Sequence, residues 1–377
     1  MTNYETELEK LKENSSFRTI KNIEKKVGKY IIVNDKKMLN LSSNDYLNLS
    51  GDIDLKNEFI EKYKNHPEFL FSSASARLLT GNSSVYNEFE NNIAKLFNKQ
   101  SALLFNTGYQ CNQAVISTLF SKNDVIFSDK LNHASMVSGL KLSPAEHIRY
   151  KHCDYEMLEK ILKEKRNNYN NALILSESVY SMDGDIADIK KLIELKKKYN
   201  CMLMLDEAHA FGVFGNNLCG VADSLGLLDE IDIITVTLGK ALASVGAVCL
   251  SKKSIIEYLI NFASGFIFST SLPSVNVLWS NFLLNEKFDL LKTKQDKLHK
   301  LFNKVHKIYP SVSASQIVPV VLNTAEKTKK RALELQDKGF YVLPINPPTV
   351  PVGTSRLRIS LTADIEFNEI KEVFDAI

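Results

Sequence analysis

The feature that most limits what this chain can fold into is a train of five short, almost wholly apolar runs. They occupy residues 101–106, 125–129, 172–177, 202–206 and 233–236 and are separated by longer stretches. Runs of this length without polar alternation read as strands buried on both faces, and such strands need helices above and below them. The stretch 188–199 supplies one, with Ile189, Leu192, Ile193 and Leu195 on one broad helical face. The alternation predicts an α/β fold with a mostly parallel sheet flanked by helices. Such a sheet binds its ligand beyond the carboxyl ends of its strands.

The polar residues fall at those ends. Asn106-Thr-Gly-Tyr follows the first run, Asp129 to His133 the second, Glu177 to Gly184 the third, and Asp206 to His209 the fourth. Gly108 and Tyr109 are expected at a helix N-terminus, where free amides and the helix dipole favour a phosphate. The fifth run leads into Thr237-Leu-Gly-Lys240.

Taken singly these pieces are bland. Most lysines are surface charges, and Asp-Glu-Ala-His also occurs in nucleic-acid-dependent ATPases. An ATPase would need a phosphate loop ending in Gly-Lys-Ser or Gly-Lys-Thr, whereas Gly28-Lys29 and Gly239-Lys240 are followed by Tyr30 and Ala241. Together the pieces meet a different requirement. A lysine amine can hold an aldehyde cofactor as a Schiff base, a carboxylate can keep a pyridine nitrogen protonated, and a threonine can bind a phosphate. Lys240, Asp206 and Thr237 provide the three parts of a pyridoxal 5'-phosphate (PLP) site.

The 377 residues suffice for one large core with a smaller appended domain. A net charge of +3 is too mild for a nucleic-acid surface, and no basic run is interleaved with aromatics. The five cysteines are scattered without a Cys-x-x-Cys, so neither a disulfide framework nor a metal site is expected. No apolar run approaches the roughly 18 residues that span a bilayer, and residues 1–12 read as a charged amphipathic helix rather than a leader. The expected location is the cytoplasm. From about residue 285 the pattern changes to a charged helix over 294–307, a strand over 316–322, a helix over 325–338 and a Pro-rich turn into an alternating strand. The expected organisation is an N-terminal arm over 1–50, a large cofactor-binding domain over 51–285 and a small α+β domain over 286–377.

Several blocks resemble the α-oxoamine synthase family of fold-type-I PLP enzymes, and the resemblance runs along nearly the whole chain. They are Asn40-Leu-Ser-Ser-Asn-Asp-Tyr-Leu, Arg77-Leu-Leu-Thr-Gly, His133-Ala-Ser, Val179-Tyr-Ser-Met-Asp-Gly, Asp206-Glu-Ala-His, Thr237-Leu-Gly-Lys, Phe268-Ser-Thr-Ser-Leu-Pro and Pro347-Pro-Thr-Val-Pro. The last, followed by Gly-Thr-Ser-Arg-Leu-Arg, is similar to the biotin-synthesis branch. The resemblance implies that Lys240 carries the cofactor, Asp206 faces its pyridine nitrogen, and His133 stacks on its ring. His209 and Ser181 would contact the phenolic oxygen, and Thr237 with the Gly108–Tyr109 turn would hold the phosphate. Thr270 would complete the phosphate site of a second copy in a homodimer. Arg358 would pair with the amino-acid carboxylate, and Arg18, Asn44 and Thr349 would help to bind substrate.

The activity so implied is decarboxylative condensation of L-alanine with a pimeloyl thioester, on coenzyme A or on an acyl carrier protein. His133 and His209 would assist proton transfer. Glycine with acetyl-CoA or succinyl-CoA, serine with a long acyl chain, and a catalytically silent partner subunit remain as alternatives. Two departures stand out. Ser72-Ser-Ala-Ser-Ala-Arg replaces the family's Gly-Ser-Gly-x-Ser-Arg, and Ala241-Leu242 replaces a small glycine-containing pair. Both add side-chain bulk where backbone approach matters.

Overall fold

The computed structural model describes residues 3–13 and 16–375, so Met1 and Thr2 of the expected first helix lie outside the described residues. Contacts group the chain into two units. One comprises Ile53–Tyr180 and Ile186–Gln295, and the other Met1–Asp52, Ser181–Asp185 and Asp296–Ile377.

The first unit is built on a seven-stranded sheet. Its strands are β1 (Ser101–Phe105), β2 (Val125–Asp129), β3 (Glu146–Tyr150), β4 (Ala172–Glu177), β5 (Met202–Asp206), β6 (Ile233–Thr237) and β7 (Ala247–Ser251), in spatial order β1-β7-β6-β5-β4-β2-β3. All five runs expected from the sequence are strands. The pairs from β6 through β5, β4 and β2 to β3 are parallel, and β7 runs antiparallel to both β1 and β6. The connection over 238–246 is too short for the crossover a parallel strand requires, so β6 and β7 form a hairpin. Every residue of β2, β4 and β7 is buried, as expected for strands covered on both faces. β3, Glu-His-Ile-Arg-Tyr, is mostly exposed and closes one edge with charge, which discourages further strand pairing.

Three helices position polar groups. α1 (Gly108–Leu119) is capped by Thr107, whose side chain accepts from the Gln110 amide at 3.1 Å. α2 (Ala134–Leu142) is capped by His133, whose Nδ1 accepts from the Ser135 amide at 3.2 Å. Such caps satisfy amides that the first turn leaves without intrahelical acceptors. α3 (Ile189–Lys198) buries Ile189, Leu192, Ile193 and Leu195, the face read from the sequence, and ends in three lysines that complement its dipole. Leu103, Phe105, Val115, Ile126, Met136, Leu173, Met204 and Cys249 join sheet and helices in one core.

In the second unit, strands Lys25–Val27, Tyr30–Val33 and Lys36–Asn40 form an antiparallel meander, extended by Phe340–Tyr341 running parallel to the third. A separate three-stranded sheet joins Ile317–Asn323, Ser355–Ser360 and Pro344–Ile345. Ser355–Ser360 is buried throughout rather than on alternate residues. The helix Tyr4–Glu13 buries none of its residues. The turn Ser181–Asp185 belongs here because Asp183 pairs with Arg356 and Gly184 packs on backbone: a Cβ at 184 would lie 2.1 Å from the Ile317 carbonyl oxygen. With φ at +70°, glycine is required at 184 on both counts.

Candidate active site

The carboxyl ends of β4, β5 and β6 align Glu177 with Asp206 and Asp206 with Thr235 in the sheet register, and Thr237 lies two residues further along β6. Asp206 is 6% exposed. Its Oδ1 accepts from the Ala208 amide at 2.8 Å, and its Oδ2 from Asn112 Nδ2 at 2.7 Å. Asn112, one turn into α1, is a hub. The same Nδ2 donates to Ser135 Oγ at 3.0 Å, and its Oδ1 accepts from Thr235 Oγ1 at 3.0 Å. Ser135 Oγ continues to His133 Nδ1 at 2.8 Å, so Asp206 and His133 are held by one chain of hydrogen bonds.

Because His133 Nδ1 accepts from the Ser135 amide, its proton belongs on Nε2. Desolvation by the surrounding protein holds this imidazole below its usual range. The Asp206 carboxylate opposes that effect and the Lys240 ammonium reinforces it. The result is a neutral aromatic ring, open on its accessible face, with Tyr109 edge-on at 6.5 Å between centroids. The His133 amide donates to Glu177 Oε1 at 2.6 Å. Burial, and secondarily the charge of Asp206, raise Glu177 well above the ordinary carboxyl range.

Lys240 lies in the β6–β7 hairpin loop and is partly buried. The loop is shaped by the Leu238 amide donating to the Gly246 carbonyl at 2.9 Å and the Ala243 amide to the Lys240 carbonyl at 3.0 Å. Thr237 Oγ1 donates to the Gly246 carbonyl at 3.2 Å and accepts from the Gly239 amide at 3.3 Å. A Cβ at Gly108 would stand 3.6 Å from Thr237 Cβ, so the N-terminus of α1 abuts this threonine. The Gly108 and Tyr109 amides find no acceptor among the described residues. Within the Asp-Glu-Ala-His block the roles divide. Glu207 is fully buried and accepts from Ser178 Oγ at 2.5 Å and from the Val221 and Ala222 amides, and burial pushes its carboxyl up to about 7. It is an internal anchor, whereas His209, also buried, lies within the turn that follows Asp206.

Thr270 is exposed and lies beside the turn that enters α1, its carbonyl accepting from Asn106 Nδ2 at 2.7 Å. It bridges to Ala76, the last residue before Arg77 in the glycine-poor segment. The first glycine-poor segment holds Ala74 in left-handed backbone at φ +51°, and Ala243, the residue after the Ala241-Leu242 pair, is left-handed as well at φ +46°.

The second unit collects the expected substrate residues. Arg358 is buried; its Nε donates to the Ser181 carbonyl at 2.5 Å, Nη1 to Ser360 Oγ at 2.7 Å and Nη2 to the Tyr46 hydroxyl at 3.3 Å. Tyr46 donates in turn to Asn44 Oδ1 at 3.2 Å. Arg18 Nη2 donates to Thr349 Oγ1 at 2.8 Å across 331 residues of sequence. The structure thus pairs Arg18 with Thr349 and links Ser181, Arg358 and Asn44 through Tyr46. Sequence reasoning missed Asn112, Ser135, Glu177 and Tyr46 as members of these networks. Asn112 carried a signal, being a polar residue on the apolar side of a helix that begins at a phosphate-type turn.

The residues of the first unit fit PLP by the chemistry of their donors. An amine, a buried carboxylate, a flat ring and a pair of unmatched helix amides beside a threonine would suit the cofactor's aldehyde, pyridine nitrogen, ring face and phosphate in turn.

A sequence profile of the family described as Aminotransferase class I and II matches residues 36–377. Two relatives bear the name "Putative 8-amino-7-oxononanoate synthase". One, from Haemophilus influenzae (strain 86-028NP), is 42% identical over 99% of each chain. The other, from Glaesserella parasuis serovar 5 (strain SH0165), is 44% identical over 98% of each. Among solved structures, serine palmitoyltransferase from S. paucimobilis with a bound PLP-myriocin aldimine superimposes with a TM-score of 0.87 at 27% identity, over 98% of this chain and 94% of that one. The 8-amino-7-oxononanoate synthase of Francisella tularensis gives 0.74 at 30% identity, over 90% and 96%. Among the described residues no helix is long and apolar enough to cross a membrane. With the sheet, the lysine-bearing hairpin and these similarities in hand, the chain belongs to the class I and II aminotransferase family, as a PLP-dependent fold-type-I enzyme of its α-oxoamine synthase branch.

Proposed function

We propose that this enzyme is an 8-amino-7-oxononanoate synthase, a cytoplasmic homodimer. It would join L-alanine to a pimeloyl thioester, carried on coenzyme A or an acyl carrier protein, and release carbon dioxide and the free thiol. The observation that carries the reading is full-length similarity to relatives of that name. The Pro347-Pro-Thr-Val-Pro block supports it.

PLP, when bound, supplies a sink for negative charge developing at the amino acid's Cα. Lys240, Asp206, His133, His209, Ser181, Thr237, Gly108 and Tyr109 would hold it, with Thr270 reaching the phosphate of a second copy. The remaining work falls to side chains of this chain. The Lys240 amine takes the proton from alanine's Cα. His133, carrying its proton on Nε2, and His209 assist later transfers. Arg358 receives the alanine carboxylate: Nε and one hydrogen on each terminal nitrogen are engaged, so each terminal nitrogen keeps one N–H for a two-point grip. The Tyr46–Asn44 link fixes the plane of that guanidinium, and the Arg18–Thr349 pair borders the acyl side.

Serine with a long acyl thioester is the second reading, favoured by the higher TM-score to serine palmitoyltransferase. Sequence identity reverses that order, 27% against 30%, and side chains rather than backbone shape select substrate. Purified enzyme offered alanine with pimeloyl-CoA or pimeloyl-carrier protein, glycine with acetyl-CoA, and serine with palmitoyl-CoA should release thiol fastest with alanine and a pimeloyl donor. Its product should have the mass of 8-amino-7-oxononanoate. Preference for either other pair would overturn the assignment.

A further inference from the structure

Cys153 differs from the other four cysteines. Cys111, Cys201, Cys219 and Cys249 are buried, and burial raises the pKa of each. Cys153 is partly exposed, just beyond the end of edge strand β3, and follows His152. His152 Nδ1 lies 3.0 Å from Asp129 Oδ1, and its Nε2 lies 3.8 Å from Cys153 Sγ. A carboxylate only accepts, so Nδ1 carries the proton and Nε2 is the basic nitrogen facing the sulfur. Asp129, at the end of β2, is 1% exposed and also accepts from the Leu131 and Cys153 amides at 2.8 Å each, which fixes its position.

Two hydroxyls complete the surroundings. The Tyr155 hydroxyl accepts from the Asp188 amide at 2.7 Å and lies within hydrogen-bonding reach of the Cys153 sulfur. Tyr150 is 1% exposed, lies near Asp129, Tyr155 and Cys153, and its hydroxyl has no hydrogen-bond partner among the described residues.

Asp129, His152 and Cys153 each offer a ligand atom within 4.8 Å of the others, a spacing that could hold a metal. Their connectivity points elsewhere. Asp129 meets Nδ1 while the sulfur lies by Nε2, so the imidazole stands between carboxylate and thiol. Carboxylate to Nδ1 and Nε2 to thiol is the order of a nucleophile-activating triad.

We propose that Cys153 is a thiol activated by His152 and Asp129, and that it is a modification site for low-molecular-weight disulfides. The S–H proton passes to His152 Nε2, and the thiolate attacks one sulfur of the disulfide. That S–S bond breaks as the new one forms. The displaced thiolate takes the proton from His152, so one cysteine is oxidised to a mixed disulfide while half of the reagent is reduced to thiol. None of these side chains belongs to the Lys240 site, and the proposal stands whichever substrates the enzyme takes.

The test uses holoenzyme with oxidised glutathione and a chelator, followed against pH by intact mass and peptide mapping. One glutathione should appear per chain, on Cys153, and Cys153→Ser should take none. His152→Gln should slow the reaction about tenfold at neutral pH, and the two rates should converge in alkali, where the thiol ionises unaided. Tyr155→Phe, a gentler change, should slow it about threefold. Labelling of a different cysteine, no labelling, or a His152→Gln profile parallel to wild type at every pH would overturn the proposal. So would labelling that begins only after the chelator has stripped an ion.

Discussion

Replacing Asn112 by alanine should be among the most damaging single changes outside the cofactor ligands. The side chain is 3% exposed and makes three hydrogen bonds: to Asp206 at 2.7 Å, to Ser135 at 3.0 Å and from Thr235 at 3.0 Å. A bond to a charged group contributes about 1.5–3 kcal/mol and a neutral one about 1 kcal/mol. The expected loss is therefore about 4 kcal/mol, a large part of the roughly 5–15 kcal/mol that holds a domain folded. Ser135 keeps its contact with His133, so the loss falls mainly on Asp206, which retains the Ala208 amide. A less constrained Asp206 should also bind cofactor more weakly. The assay is urea unfolding of apoprotein and holoprotein, with Thr235→Val and the double variant closing a thermodynamic cycle. A coupling of about 1 kcal/mol between the two positions is expected. Additivity within about 0.5 kcal/mol, or a total loss below about 1 kcal/mol, would refute the hub.

Three further outcomes follow from the geometry. Burial raises Glu177 above its value in the unfolded chain, so the native state keeps a proton the unfolded state has lost, and stability falls as pH rises between the two values by up to about 1.4 kcal/mol per pH unit. Glu177→Gln retains an acceptor for the His133 amide and should gain on wild type in melts taken from about pH 5 to pH 7; parallel profiles would contradict the raised value. Ala74→Gly and Ala243→Gly each relieve left-handed strain of about 1–2 kcal/mol at the cost of added unfolded-state entropy of about 0.4–1 kcal/mol, so each should raise stability modestly in urea titrations, and a loss in both would show the strain is absent. Arg358→Lys keeps the charge but loses the two-point grip and the link to Tyr46, so the KM for alanine should rise at least about tenfold with cofactor content unchanged; an unchanged KM would remove Arg358 from the substrate site.

The strands that end at the candidate site were legible because both of their faces are covered, leaving unbroken apolar runs in the sequence. β3 was not, since an edge strand of Glu, His and Arg has the composition of a loop. β7 is as apolar as its neighbours, and only the shortness of its connection to β6 distinguishes it as an antiparallel return. That Asp206 ends one apolar run and that Thr237 and Lys240 follow the next could be read from the sequence. The network beneath them could not, because Asn112 and Ser135 acquire meaning only when α1 and α2 lie together, where a Cβ at Gly139 would come within 2.9 Å of Ile116. The glycine missing at Ala74 was visible in the sequence, whereas the left-handed backbone that makes its loss costly appears only in the structure.

The central claim is that the amine in the β6–β7 hairpin, Lys240, carries the cofactor beside Asp206. Borohydride reduction of the holoenzyme fixes PLP to whichever amine holds it, and digestion followed by mass mapping identifies the peptide. One pyridoxyl group per chain is expected, on the peptide containing Thr237-Leu-Gly-Lys240, and none in Lys240→Ala. A pyridoxyl group on any other lysine would contradict the site as drawn.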